Sequence, residues 1–126
     1  MITGNRKNKL AAEIQIRNHT LVSDVSAELG GNDEGPDPHE LLQAALAGCT
    51  IITVQMYANR KQWPLESTDV KIKILSEDKE GTVISRDVSF KGNLSQEQRD
   101  QLLVIANKCP IHRLLTGPVQ IQTQMS

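Results

Sequence analysis

Asp37-Pro38-His39-Glu40-Leu41-Leu42-Gln43-Ala44-Ala45-Leu46-Ala47-Gly48-Cys49-Thr50-Ile51-Ile52-Thr53-Val54 is the stretch on which the fold turns. Asp followed by Pro is a helix-entry signal. The Asp side chain caps free N–H groups, and the fixed φ of proline suits the first helical position. From Leu41 to Val54 nearly every residue is apolar or small. A helix apolar on all sides is a buried one. Beyond it, Asn59-Arg60-Lys61-Gln62 is polar and cationic, as a helix C-terminus favours, and Pro64 stops the run. The pattern predicts one long buried helix from Pro38 to about Lys61, with Cys49 in its middle.

Upstream, Leu29-Gly30-Gly31-Asn32-Asp33-Glu34-Gly35-Pro36 crowds turn formers into a loop. Before it, Leu10–Ile16 reads as a strand, Arg17-Asn18-His19 as a turn, and Thr20–Val25 as a second extended run. Downstream, Val70, Ile72 and Ile74 alternate with Lys71 and Lys73, and Thr82–Lys91 is a second strand candidate. Both have one apolar and one polar face, as in a half-solvated antiparallel sheet. Ser95 with Gln98 makes a capping box for a helix ending near Lys108, because Pro110 disfavours helix at Cys109. A short helical turn, Ile111–Leu115, follows. Val119, Ile121 and Thr123 alternate with Gln residues as a last strand. The expected fold class is α+β, an antiparallel sheet packed on one long buried helix, in a single domain over residues 1–126.

The 126 residues carry a net charge of −1, with 23% charged, 38% hydrophobic and 2% aromatic residues. A domain of this length buries roughly two-thirds of its unfolded surface, enough for a core without disulfide staples. Neither a basic surface nor aromatic platforms are present, so nucleic acid is not an expected partner. The N-terminus MITGNRKNKL has charge but no apolar segment behind it, so a secretory leader is not expected. The apolar run is shorter than the roughly 20 residues that span a bilayer. The expected location is the cytoplasm, with no membrane partner.

Two cysteines in a reducing compartment are not a permanent staple. By composition alone they are small buried hydrophobes. Around Cys49, Ala45, Ala47 and Gly48 are small, which suits either close helix packing or the approach of a substrate to the sulfur. Cys109 precedes Pro110 at a helix start, where unpaired N–H groups favour the thiolate. His112 and Arg113 follow as candidates to stabilise charge; the alternative is a helix-ending cysteine beside a solvated Arg113. A pair of thiols can pass from sulfenic acid to disulfide and so avoid over-oxidation. The cysteines are 60 residues apart, so only the fold can bring them together. Cys109 and His112 also have metal-like spacing, with His39 and Cys49 as possible further ligands, but zinc usually needs three or four and no motif links these. No metal or cofactor is expected.

The run Leu29-Gly30-Gly31, then Gly35 through Cys49, resembles the OsmC/Ohr family of osmotically inducible and organic hydroperoxide resistance proteins. Cys109-Pro110-Ile111-His112-Arg113-Leu114-Leu115 resembles its second cysteine motif, and the order of elements also fits. The resemblance implies an intertwined homodimer with the site at the subunit interface. It implies that Cys49 is the peroxidatic thiol and Cys109 the resolving one. The substrates would be organic hydroperoxides and the reductant a thiol or a lipoylated protein. It further implies a thiolate-stabilising arginine, best matched by Arg17, and a glutamate that holds it. In the family's peroxidases that glutamate stands ten residues before the cysteine, where this chain has His39; Glu40 stands nine before. At about 100° per residue, Glu40 lies nearly opposite Cys49 on a straight helix and His39 about 80° from it. Glu40 then has an alternative task as a first-turn acid at the helix start. The departure leaves a second function open: a dimeric protein that binds a small hydrophobic ligand or senses redox state without fast turnover.

Overall fold

The computed structural model describes residues 1–126. The chain forms two compact units, Met1–Ala44 and Ala45–Ser126. The first is built on a three-stranded antiparallel sheet of β1 (Ile2–Asn8), β2 (Ala11–Ile16) and β3 (His19–Ser23). β2 and β3 are the expected hairpin, with Ile16 paired to His19 across Arg17-Asn18. β1 was not expected. All of its residues are exposed and most are polar, so it has no apolar alternation to read; its pairing with β2 defines it. The loop that follows is organised from inside by Asp24. Its carboxylate accepts the backbone N–H groups of Val25 (2.7 Å), Asn32 (3.2 Å) and Glu34 (3.1 Å).

The helix α1 spans Pro38–Lys61, the bounds that Asp37-Pro38 and Pro64 predict. Asp37 Oδ1 accepts the N–H of Glu40 at 2.8 Å, and Glu40 Oε1 accepts the N–H of Asp37 at 2.9 Å. This reciprocal pair is a capping box with Asp in the cap position. At the other end Gln62, at φ 58°, reverses the chain. Its N–H bonds to Asn59 O and that of Trp63 to Ala58 O, the two bonds of a Schellman cap.

Ala45–Ser126 holds the larger core. β4 (Leu65–Asp78) and β5 (Gly81–Gly92) form a two-stranded antiparallel hairpin, longer than the alternating residues alone suggest. Gly92, at φ 144°, permits the tight approach to Pro64, where a Cβ would collide with the Pro64 carbonyl. α2 (Gln96–Ala106) begins with the Ser95/Gln98 capping box, and α3 (Pro110–Thr116) follows. Val54 and Ala58 of α1, Leu65 of β4, and Leu102 and Ala106 of α2 make the buried cluster. Tyr57 and Trp63 close one side, ring edge to ring face at 5.5 Å between centroids.

Three expectations change. No strand forms over residues 117–126; Val119 and Ile121 are exposed and no neighbouring strand offers them a ladder. The burial of α1 is also partial. In the second unit it is confined to the stripe Leu46, Thr50, Val54 and Ala58, while Ile52 and Met56 are 60% and 62% exposed. Leu65 of the hairpin and Leu102 and Ala106 of α2 pack on the buried stripe, and Ile52 and Met56 stay exposed. The expectation that the apolar run is too short for a bilayer also changes: with its flanking turns α1 has the length and apolar content of a membrane span, by length and composition only.

Candidate functional site

Pro110 sets the geometry of the second cysteine. The residue before a proline is pushed out of the helical region, and Cys109 is extended at φ −64° and ψ 145°. It caps α3 with its own sulfur, which accepts the N–H of His112 at 3.3 Å. Cys109 is fully buried. Cys49 is half-buried in the middle of α1. Its sulfur accepts the N–H of Ile111 at 3.5 Å and lies 3.8 Å from Thr53 Oγ1. Two consecutive amides of one turn therefore serve two thiols that are 60 residues apart in sequence. Both thiols are free.

A third side chain joins this region that the sequence reading did not single out. Arg86 lies on β5 in the register of the half-buried Ile84, Val88 and Phe90, opposite Ile72 of β4. A cation in the inward register of an alternating strand is the signal that could have found it. Its Nη1 donates to Thr50 Oγ1 at 3.1 Å, and its Nη2 donates to Asn107 Oδ1 at 2.7 Å. The same Nη2 meets His112 Nδ1 at 3.0 Å. Thr50 in turn donates its hydroxyl to Leu46 O at 2.7 Å. A guanidinium has no acceptor, so Nδ1 is the acceptor in this pair. Burial, and then the Arg86 charge, hold the His112 imidazole below its ordinary pKa of 6.5.

The structure thus brings together Cys49, Cys109 and His112 from the sequence analysis, and adds Arg86, Thr50 and Asn107. Arg17 and Glu40 belong to the first unit. Arg17 is exposed in the β2–β3 turn at φ 53°, its carbonyl accepting Gln15 Nε2 at 2.8 Å. The Glu40 carboxylate is engaged with the Asp37 N–H at the start of α1. His39 accepts at its carbonyl from Gln43 Nε2 at 3.0 Å. No three His, Cys, Asp or Glu side chains converge as a metal site would need.

A family model described as OsmC-like protein matches residues 30–124. The chain belongs to the OsmC-like family. The match contains both cysteine segments and the whole of α1. Among solved structures, an OsmC-like protein from Mycoplasma pneumoniae superposes with a TM-score of 0.80 at 17% identity, covering 93% of this chain and 86% of that one. An osmotic stress induced and detoxification response protein from Psychrobacter arcticus gives 0.76 at 17% identity, over 90% and 85% of the two chains. The organic hydroperoxide resistance protein of Bacillus subtilis gives 0.64 at 19% identity, over 93% and 90%. At these identities the likeness establishes a common OsmC-like fold. A search of curated proteins found no match.

Proposed function

We propose that this OsmC-like protein reduces organic hydroperoxides with Cys49 and Cys109. One observation carries the reading: neighbouring amides of one helical turn donate to both sulfurs. The shared turn brings both sulfurs to one place, and the thiolate is the nucleophile in such chemistry. Cys49 is assigned the first step because it is half-buried while Cys109 is fully buried. The Cys49 thiolate attacks the terminal peroxide oxygen and the O–O bond breaks. Cys49 becomes a sulfenic acid, and the alkoxide takes a proton to leave as the alcohol. The Cys109 thiol then attacks the sulfenic sulfur, the S–S bond forms, and water leaves. A dithiol, free or carried as a lipoyl group on a protein, returns two electrons.

The remaining expectations are part of the same proposal. Arg17 supplies charge to the Cys49 thiolate, and Glu40 orients it in addition to capping α1. The exposed side of α1, with Ile51, Ile52 and Met56, belongs to a homodimer interface. The working compartment is the cytoplasm, which keeps both thiols reduced between turnovers.

The test mixes reduced protein with one equivalent of cumene hydroperoxide and counts free thiols. Loss of both thiols and a Cys49–Cys109 disulfide peptide by mass spectrometry are expected. Cys109→Ser should stop at a sulfenic acid that dimedone traps, and Cys49→Ser should consume no peroxide. Persistence of both thiols overturns the proposal. A disulfide that forms once but is not turned over with excess dithiol replaces it with a redox sensor.

A further inference from the structure

Arg86 has no task in the steps above, yet its position is a demanding one. A charge taken partly out of water costs free energy unless its donors are bonded. Three acceptors meet that need, each from a different place in the chain: Thr50 on α1, Asn107 in the bend before Cys109, and His112 on α3. None of the three is a carboxylate. Thr50 directly follows Cys49, while Asn107 and His112 stand on either side of Cys109.

The geometry points to Arg86 as the positioning residue of the disulfide-forming step, clamping the Cys49 segment to the Cys109 segment and holding His112 as the neutral tautomer with its proton on Nε2. This rests on the peroxidase reading and names the device that sets its second half-reaction. In that step the Cys109 S–H adds its sulfur to the Cys49 sulfenic sulfur, and the hydroxyl leaves with the thiol proton as water. No outside oxidant or reductant enters. Two groups held in contact geometry react far faster than two that drift, and a misplacement of about 1 Å can lower the rate by roughly 100-fold. Arg86 acts on that geometry through other residues and is assigned no contact with the reacting atoms.

The tautomer follows from the donors. Nδ1 faces a group that can only donate, so its lone pair is occupied and the ring proton sits on Nε2. In that state neither ring nitrogen is open to take a thiol proton. His112 is therefore not the base of a cysteine–histidine dyad, the arrangement that acyl-transfer enzymes use. Arg86 makes it a fixed acceptor and a structural link.

The experiment follows both half-reactions by rapid quench and mass spectrometry in the full-length protein, comparing wild type with Arg86→Met, Arg86→Lys and Asn107→Ala. For Arg86→Met the disulfide-forming rate should fall at least tenfold relative to the sulfenate-forming rate, and over-oxidised Cys49 sulfinate should accumulate. Arg86→Lys should restore part of the rate, since one ammonium cannot serve all three acceptors. Nitrogen NMR of His112 should give a neutral ring protonated on Nε2 in wild type and lose that signature in Arg86→Met. A loss of fold alone would not produce that ratio together with that spectrum. Asn107→Ala removes one arm at an exposed residue and should slow the second step less. If Arg86→Met does not fold, a wild-type rate in Asn107→Ala overturns the clamp. An Arg86→Met protein that closes its disulfide at the wild-type rate, or keeps the Nε2 signature, also overturns it and leaves the peroxidase reading standing. A wild-type protein that forms no intramolecular disulfide overturns both.

Discussion

Arg17 illustrates how one position can be asked two questions at once. Its φ of 53° lies in the left-handed region, which L side chains enter at a cost of roughly 1–2 kcal/mol. Arg17→Gly therefore suits the turn while deleting the guanidinium. If Arg17 supports Cys49, iodoacetamide should alkylate Cys49 several-fold more slowly at neutral pH with no loss of stability; unchanged kinetics remove Arg17 from the site. Asp24 gives a second residue-scale prediction. The N–H groups of Glu34 and Val25 lead in holding its carboxyl below the ordinary 3.8. A folded-state value below the unfolded one stabilises the fold above the unfolded value, and that contribution is lost as pH falls through the folded one. Asp24→Asn should flatten the acid limb of the denaturation midpoint plotted against pH. An unchanged acid limb would deny the Asp24 bonds that part.

At the scale of elements, α2 is the one to test. Its Leu102 is fully exclusive of solvent and meets Val54, Ala58, Leu65 and Ala106. Leu102→Ala should cost roughly 2–5 kcal/mol by chemical denaturation, the usual range for a large core deletion. A cost below about 1 kcal/mol would mean that the site collapses around the smaller side chain. The helices were the legible elements because their ends carry side-chain signals. Asp37-Pro38, Pro64 and the Ser95/Gln98 pair mark boundaries that the backbone obeys. β1 was not legible, since a polar edge strand is made by its neighbour rather than by its own pattern. The alternation of Val119, Ile121 and Thr123 misled for the converse reason: a good strand pattern with no ladder to join is not a strand. In the site, both cysteines and His112 could be read from local motifs. Arg86 has only a weaker mark, a cation in the inward register of an alternating strand; strand reading follows apolar residues, and its acceptors are remote in sequence.

For the whole molecule, the bare side of α1 sets the next question. Ile52 and Met56 leave an apolar surface on a chain whose net charge is only −1. Covered by a second copy, that side would complete the helix burial that the sequence predicts. Sedimentation should find a dimer, and Ile52→Lys should shift it towards monomer; a monomeric wild type would overturn the assignment. The shared turn of α3 has one more consequence. The amide protons of Ile111 and His112 are held by sulfur, a weak acceptor, whereas the next one, on Arg113, is held by the Cys109 carbonyl at 3.1 Å. Once the sulfurs bond to each other they are poorer acceptors still. Deuterium uptake should then quicken at Ile111 and His112 while Arg113 keeps its protection. Two adjacent amides would report the oxidation state of the protein without any added label.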